Sequence, residues 1–149
     1  MPIVSGAITP EGPLIDVLVG VSSPRQDLLI RKGFAVPNKI PIRAIIDTGS
    51  FATGFMPNVF KDLDLRSLGR INVRTPSTKP GLPHSTDQFD VSVTLVSGIN
   101  ELAAVRVRAI ASDDFDDLPD APQGITGRDI LSRCNFSYLG LDKLWNLYL

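Results

Sequence analysis

The chain has 149 residues, enough to bury a substantial core within one domain. Hydrophobic residues make up 43% and charged residues 21%, proportions that argue against a disordered chain. The formal net charge of −1 gives no electrostatic reason to expect nucleic acid or an anionic membrane as a partner. No apolar run approaches the ~20 residues of a membrane helix. The start, Met1-Pro2-Ile3-Val4-Ser5, lacks the basic and apolar regions of a secretory signal. A single cysteine, Cys134, has no partner for an internal disulfide. A cytoplasmic chain is the expectation.

Pro and Gly, 12 of each, punctuate short apolar runs throughout, the pattern of an all-β fold. Ile15, Val17, Val19 and Val21 alternate with Asp16, Leu18 and Gly20, which predicts a first strand over Leu14 to Val21. Ser22 to Arg25 reads as a turn, and Leu28-Leu29-Ile30 as the start of a second strand. Ile42 to Ile46 reads as a buried strand, and it delivers Asp47 straight into the polar turn Thr48-Gly49-Ser50. Burying a carboxylate there is costly unless donors reach it. Two hydroxyls and a glycine backbone free to approach closely can supply them.

Beyond the turn, Met56, Val59, Phe60 and Leu63 have helical spacing, and Pro57 suits a helix start. Ile71 to Arg74 and Phe89 to Leu95 read as strands flanking a breaker-rich tip over Thr75–Thr86, the signature of a hairpin. Val105, Val107 and Ala109 alternate with Arg106 and Arg108, predicting a strand with one wet face. Asp113, Asp114, Asp116, Asp117 and Asp120 crowd the next loop. They lack the glycine and terminal glutamate of an EF-hand, so a solvated acidic loop is favoured over a calcium site. A short helix is expected from about Arg128, then an apolar hairpin over Phe136–Leu149.

Two blocks together carry a family resemblance. Asp47-Thr48-Gly49-Ser50 after an apolar strand resembles the active-site turn of aspartic proteases, and the short chain is similar to the homodimeric retropepsin-like family. Gly124-Ile125-Thr126-Gly127-Arg128-Asp129-Ile130-Leu131 resembles the segment that precedes the C-terminal strand in that family. The resemblance spans about Leu14 to Leu149. It implies a closed β-barrel or sandwich in one domain over residues 1–149, with a flap hairpin and one or two short helices. It also implies that residues 1–12 extend as an arm towards a dimer interface, and that the terminal strands of two subunits interleave.

The same resemblance implies an aspartic endopeptidase, hydrolysing peptide bonds through a water activated by a pair of carboxylates that share one proton. The chain holds one Asp-Thr-Gly, so the pair must be Asp47 contributed twice by a homodimer. Thr48 would bond across the two-fold, Gly49 N–H would approach the carboxylate, and the Ser50 hydroxyl would orient its outer oxygen. Thr75, Ser77 and Gly81 would belong to the flap that covers substrate. Gly127, Arg128 and Asp129 would support the turn.

In retroviral enzymes the arginine pairs with an acid just past the turn. Phe51-Ala52-Thr53-Gly54 contains none. Arg128 must therefore meet backbone, or Asp129 of the other chain. No cofactor or metal is implied: His84 has no second His, and the apolar setting of Cys134 favours a packed thiol over a nucleophile. No Gly-x-Ser-x-Gly elbow and no phosphate-cradling loop is present. The expected partners are a second copy and a peptide or protein substrate. A dimerisation or peptide-binding module without turnover is the alternative.

Overall fold

The computed structural model describes residues 2–74, 84–115, 118 and 120–149. The fold is all-β, as the patterning predicts. Its strands are β1 (Ile3–Thr9), β2 (Gly12–Val21), β3 (Ile40–Ile46), β4 (Gly54–Phe55), β5 (Gly69–Val73), β6 (His84–Ser97), β7 (Asn100–Ala111), β8 (Gly124–Thr126), β9 (Asn135–Leu139) and β10 (Leu144–Tyr148). Among the described residues three short helices join them: α1 (Ser23–Arg31), α2 (Pro57–Asp62) and α3 (Arg128–Leu131).

The strands run β5-β6-β7-β4-β8-β3-β2-β1-β10-β9, and an additional pairing of β6 with β2 closes six of them into a barrel. Closure follows from the length of β2. It pairs with β3 over Leu14–Val19 and with β6 over Val17–Val21, so it bridges both sides. The alternation read from the sequence becomes the barrel's inner and outer faces. Ile15, Val17 and Val19 of β2, Val91, Val93 and Leu95 of β6 and Val105, Val107 and Ala109 of β7 are buried. Arg106 and Arg108 face water. Each buried Val, Leu or Ile side chain among them contributes roughly 1.5–3 kcal/mol on leaving water.

α2 starts at Pro57, and its Val59 and Phe60 are buried, as the periodicity predicts. Phe60 stacks on Phe89 of β6 with ring centroids 4.1 Å apart, which seats the helix on the barrel.

α1 corrects the expectation over residues 22–30, where a turn and a strand were predicted. Pro24 lies in the helix's first turn, where its missing N–H costs nothing. The run Leu28-Leu29-Ile30 is too short to distinguish strand from helix by period, and none of the helix's residues is fully buried. Ser22, just ahead of the helix, is completely buried and donates to Asp90 Oδ2 at 2.7 Å.

The N-terminal residues also differ from the expected extension. β1 pairs with β10 from Ile3↔Tyr148 to Ala7↔Leu144, and β10 pairs in turn with β9. Both termini thus hydrogen-bond within one chain, and Leu149 N donates to Pro2 O at 3.0 Å. Trp145 and Leu147, on the terminal strand expected to interleave with a second subunit, lie buried in the chain's own core. β5 and β6 form the expected hairpin, paired from Gly69↔Gln88 to Val73↔His84. Its tip, with Thr75, Ser77 and Gly81, lies outside the described residues.

Asp90 gathers one of the fold's polar clusters. Burial pushes its carboxyl up, but hydrogen bonds from Arg106 and Ser22 and the charges of Arg106 and Arg108 outweigh this and hold it below the usual carboxylate value. A lowered folded-state value means that the stabilisation is present above the ordinary aspartate pKa and is lost as pH falls through the folded value. Asp90→Asn should therefore melt a few degrees below wild type at neutral pH. The gap should close on acidification below the ordinary aspartate range, as read by thermal unfolding across pH.

Candidate active site

β3 is flanked by β2 on one side and by β8, in parallel, on the other. Ile42, Ala44 and Ile46 point into the core and hold the strand in place. Asp47 N donates to Thr126 O at 3.0 Å, extending the β3–β8 pairing one residue past the strand. The carboxylate thus emerges from a central strand at a fixed register.

The turn then folds back on this carboxylate. Gly49 N donates to Asp47 Oδ1 at 2.8 Å, and Ser50 N donates to the Asp47 carbonyl at 3.3 Å. A Cβ on residue 49 would stand 3.1 Å from the same Oδ1, so glycine leaves the approach open. The Ser50 hydroxyl differs from its expected role: it donates to Ala52 O at 2.6 Å and braces the exit of the turn instead of the carboxylate. Thr48 is exposed.

The second block clamps the turn from behind. Arg128 N donates to Ser50 O at 2.9 Å, while Arg128 Nη1 reaches Thr48 O at 3.1 Å and Gly49 O at 3.3 Å. The guanidinium therefore meets backbone of its own chain, one of the two partners anticipated. A planar cation suits this work because it can serve two adjacent carbonyls at once.

Asp129 accepts from Thr53 N at 2.9 Å, from Thr53 Oγ1 at 2.6 Å and from Ile130 N at 2.9 Å. Thr53 Oγ1 in turn accepts from Gly127 N at 3.1 Å. Gly127 packs so closely that a Cβ would lie 2.5 Å from the Ala52 carbonyl carbon and oxygen. All three residues assigned to support of the turn thus touch the segment that follows Asp47.

Sequence reasoning missed Thr53. In retroviral enzymes the acid that meets the arginine lies just past the turn. Here the acid sits on the helix, as Asp129, and the turn supplies the hydroxyl. The unexplained carboxylate of Asp129 beside Arg128 was the available signal.

A cavity of about 280 Å³ opens beside Asp47. Phe51, Val73, Ile110 and Ile125 line it with apolar surface, and Arg74, His84 and Asp114 bring charge or a titratable ring. His84, predicted to have no metal role, begins β6 at this cavity. Among the described residues no group of three His, Cys, Asp or Glu side chains is arranged to hold a metal. Cys134 donates from Sγ to Ile130 O at 3.7 Å, and burial pushes its thiol pKa up, the setting of a packed thiol.

No protein-family model matches the chain. No curated protein matches it either. Among solved structures, it is similar to a retropepsin-like aspartic protease from Rickettsia conorii, with a TM-score of 0.56 and 16% identity, covering 98% of this chain and 89% of that one. At this identity the likeness is one of fold. The all-β, retropepsin-like architecture expected from the two sequence blocks is thereby supported. No helix among the described residues is long and apolar enough to cross a membrane.

Two substitutions test the clamp. Thr53→Val removes a hydroxyl that both donates to Asp129 and accepts from Gly127 N, and should cost about 1–3 kcal/mol in urea unfolding. Gly127→Ala forces the Ala52 backbone aside and should destabilise by a similar or larger amount, roughly 1–3 kcal/mol or more.

Proposed function

We propose that the protein is an aspartic endopeptidase that acts as a homodimer. The observation that supports this most directly is the Asp47 carboxylate itself. It is delivered by a central strand, oriented by Gly49 N–H at 2.8 Å, and set beside a largely apolar cavity. Among the described residues its side-chain bond is to the turn that presents it, and not to a partner elsewhere in the fold.

The chemistry needs two such groups. Peptide hydrolysis by this route uses one carboxylate as base, to take a proton from the attacking water, and the other as acid. One chain supplies a single Asp-Thr-Gly, so the second Asp47 comes from a two-fold-related copy. The attacked carbonyl becomes a tetrahedral diol. The shared proton then passes to the departing nitrogen, and the dyad is restored without a covalent enzyme intermediate. Titration of such a dyad belongs to the pair and not to either residue.

The rest of the site has matching roles in this reading. The Arg128 and Asp129 clamp holds each turn in the orientation needed to meet its mate. The apolar cavity accepts a substrate side chain beside the scissile bond, and the β5–β6 hairpin, whose Val73 and His84 line that cavity, covers an extended peptide. Thr75, Ser77 and Gly81 are assigned to that cover by resemblance. No cofactor or metal is required.

The test is cleavage of a mixed peptide library from acid to neutral pH. Wild type should cleave, a transition-state-mimic inhibitor should block it, and Asp47→Asn should lose at least about a thousandfold in turnover while keeping its fold. Peptide binding without cleavage, equal in wild type and Asp47→Asn, would replace this reading with that of a non-catalytic peptide-binding module.

A further inference from the structure

α1 is tied to the barrel through its neighbour Ser22, which donates to Asp90, yet none of the helix's own residues is fully buried. The other two helices differ: α2 buries Val59 and Phe60, and α3 buries Ile130 and Leu131. The apolar residues of α1 gather at its C-terminal end and look outwards. Leu28 and Leu29 are half-buried, Ile30 is 58% exposed, and Phe34, just past the helix, is 63% exposed.

Backbone bonds hold Phe34 in this position. Gly33 takes φ +73°, which suits glycine, and its N–H donates to Ile30 O at 3.1 Å. Phe34 N then donates to Leu29 O at 2.9 Å, closing the helix end. Of the chain's seven phenylalanines only Phe34 and Phe51 are exposed, and Phe51 belongs to the Asp47 cavity. From Phe34 the apolar surface continues into a groove of about 320 Å³, where Leu29, Ala35, Pro37 and Leu63 stand with Arg25 and Asp64.

Charge accompanies this surface. Residues 22–39 hold four cations, Arg25, Arg31, Lys32 and Lys39, and one anion, Asp27. The whole-chain charge of −1 therefore conceals a basic stretch. Lys39 is paired with Glu101. Arg31 and Lys32, both exposed and next to Ile30, form no ion pair among the described residues.

We propose that the C-terminal end of α1, with Phe34, docks the protein on the surface of an anionic lipid bilayer. Ile30 and Phe34 enter the boundary between headgroups and acyl chains. Arg31 and Lys32 lay their aliphatic stems along that boundary and bring their charges to the lipid phosphates. A bilayer offers anionic groups directly above hydrocarbon, which matches protruding apolar side chains flanked by unpaired cations. With nine residues α1 is far shorter than the ~20 needed to cross, so it lies in the plane of the interface.

The groove beside Phe34 and the cavity beside Asp47 share no lining residue, so contact with lipid leaves the walls of that cavity free. The inference goes beyond the proposed activity and does not depend on it.

Flotation of the intact protein with lipid vesicles tests this. It should float with phosphatidylcholine mixed with phosphatidylserine, not with phosphatidylcholine alone, and added salt should weaken the binding. Arg31→Gln combined with Lys32→Gln should lower the partition coefficient by roughly tenfold or more. Phe34→Ser should lower it by roughly fivefold or more. The control Ile99→Ser, at a position 99% exposed on the β6–β7 turn, should leave it unchanged. Phe34→Trp should still bind, and its emission should shift to the blue on adding the mixed vesicles, against a constant signal from buried Trp145. No flotation, equal flotation with neutral vesicles, equal loss in the control, or unchanged emission overturns the inference. A dimer in sedimentation that Phe34→Ser abolishes would assign the surface to a second copy and overturn it as well. No arm reads cleavage, so loss of flotation removes this inference alone, and absence of cleavage removes only the proposed activity.

Discussion

The carboxylate of Asp129 accepts from Thr53 N, Thr53 Oγ1 and Ile130 N, and through them it joins two stretches of chain that lie 76 residues apart. Without it, the buried Thr53 N–H and hydroxyl would lose their partner where water cannot replace it. With it, the segment leaving the Asp47 turn is tied to the start of α3. Arg128 on the same helix can then reach the Thr48 and Gly49 carbonyls. The Gly127 backbone can lie against Ala52 because it has no side chain in the way. The Asp129, Thr53 and Gly127 half of the clamp is partly or fully buried, whereas the Arg128 side-chain bonds lie at the exposed surface.

The barrel explains why a clamp is needed at this point. β3 is a central strand, held by β2 and β8 and by its own buried Ile42, Ala44 and Ile46. Such a strand places its last residue with little freedom, but the residues that follow are a turn with exposed Thr48 and Gly49. Rigidity of the strand alone fixes Asp47 and leaves its neighbours loose. The bonds from Arg128, and from the Ser50 hydroxyl to Ala52 O, extend the strand's order around the turn. In the proposed dimer, a carboxylate that meets another across an axis would need that order, since small misplacements weaken shared-proton chemistry steeply.

Much of the barrel was legible because half-buried strands have a period of two. The alternation in β2, β6 and β7 needed no knowledge of partners to predict an inner and an outer face. The turn was legible because its ingredients are contiguous: an apolar strand, an acid, a glycine and two hydroxyls. α1 was not, since its three apolar residues fit either period and the residue ahead of it, Ser22, is tied to Asp90, distant in sequence. β1 was not either, because Ile3–Thr9 finds its partner in β10 at the far end of the chain. The role of Ser50 depended on a rotamer, which no spacing rule contains.

By itself the sequence determined the strand period, the position of the Asp47 turn, the need for a second copy if a carboxylate pair is to form, and the all-β class. These are local patterns or simple counts, and local chemistry is written in neighbouring residues. Only the tertiary structure decided that Arg128 serves backbone, that Asp129 finds Thr53, and that the termini pair within one chain. Each of those depends on which distant segments the barrel brings within hydrogen-bonding distance. That is set by closure of the sheet through β2 and β6 and by the core that fills it.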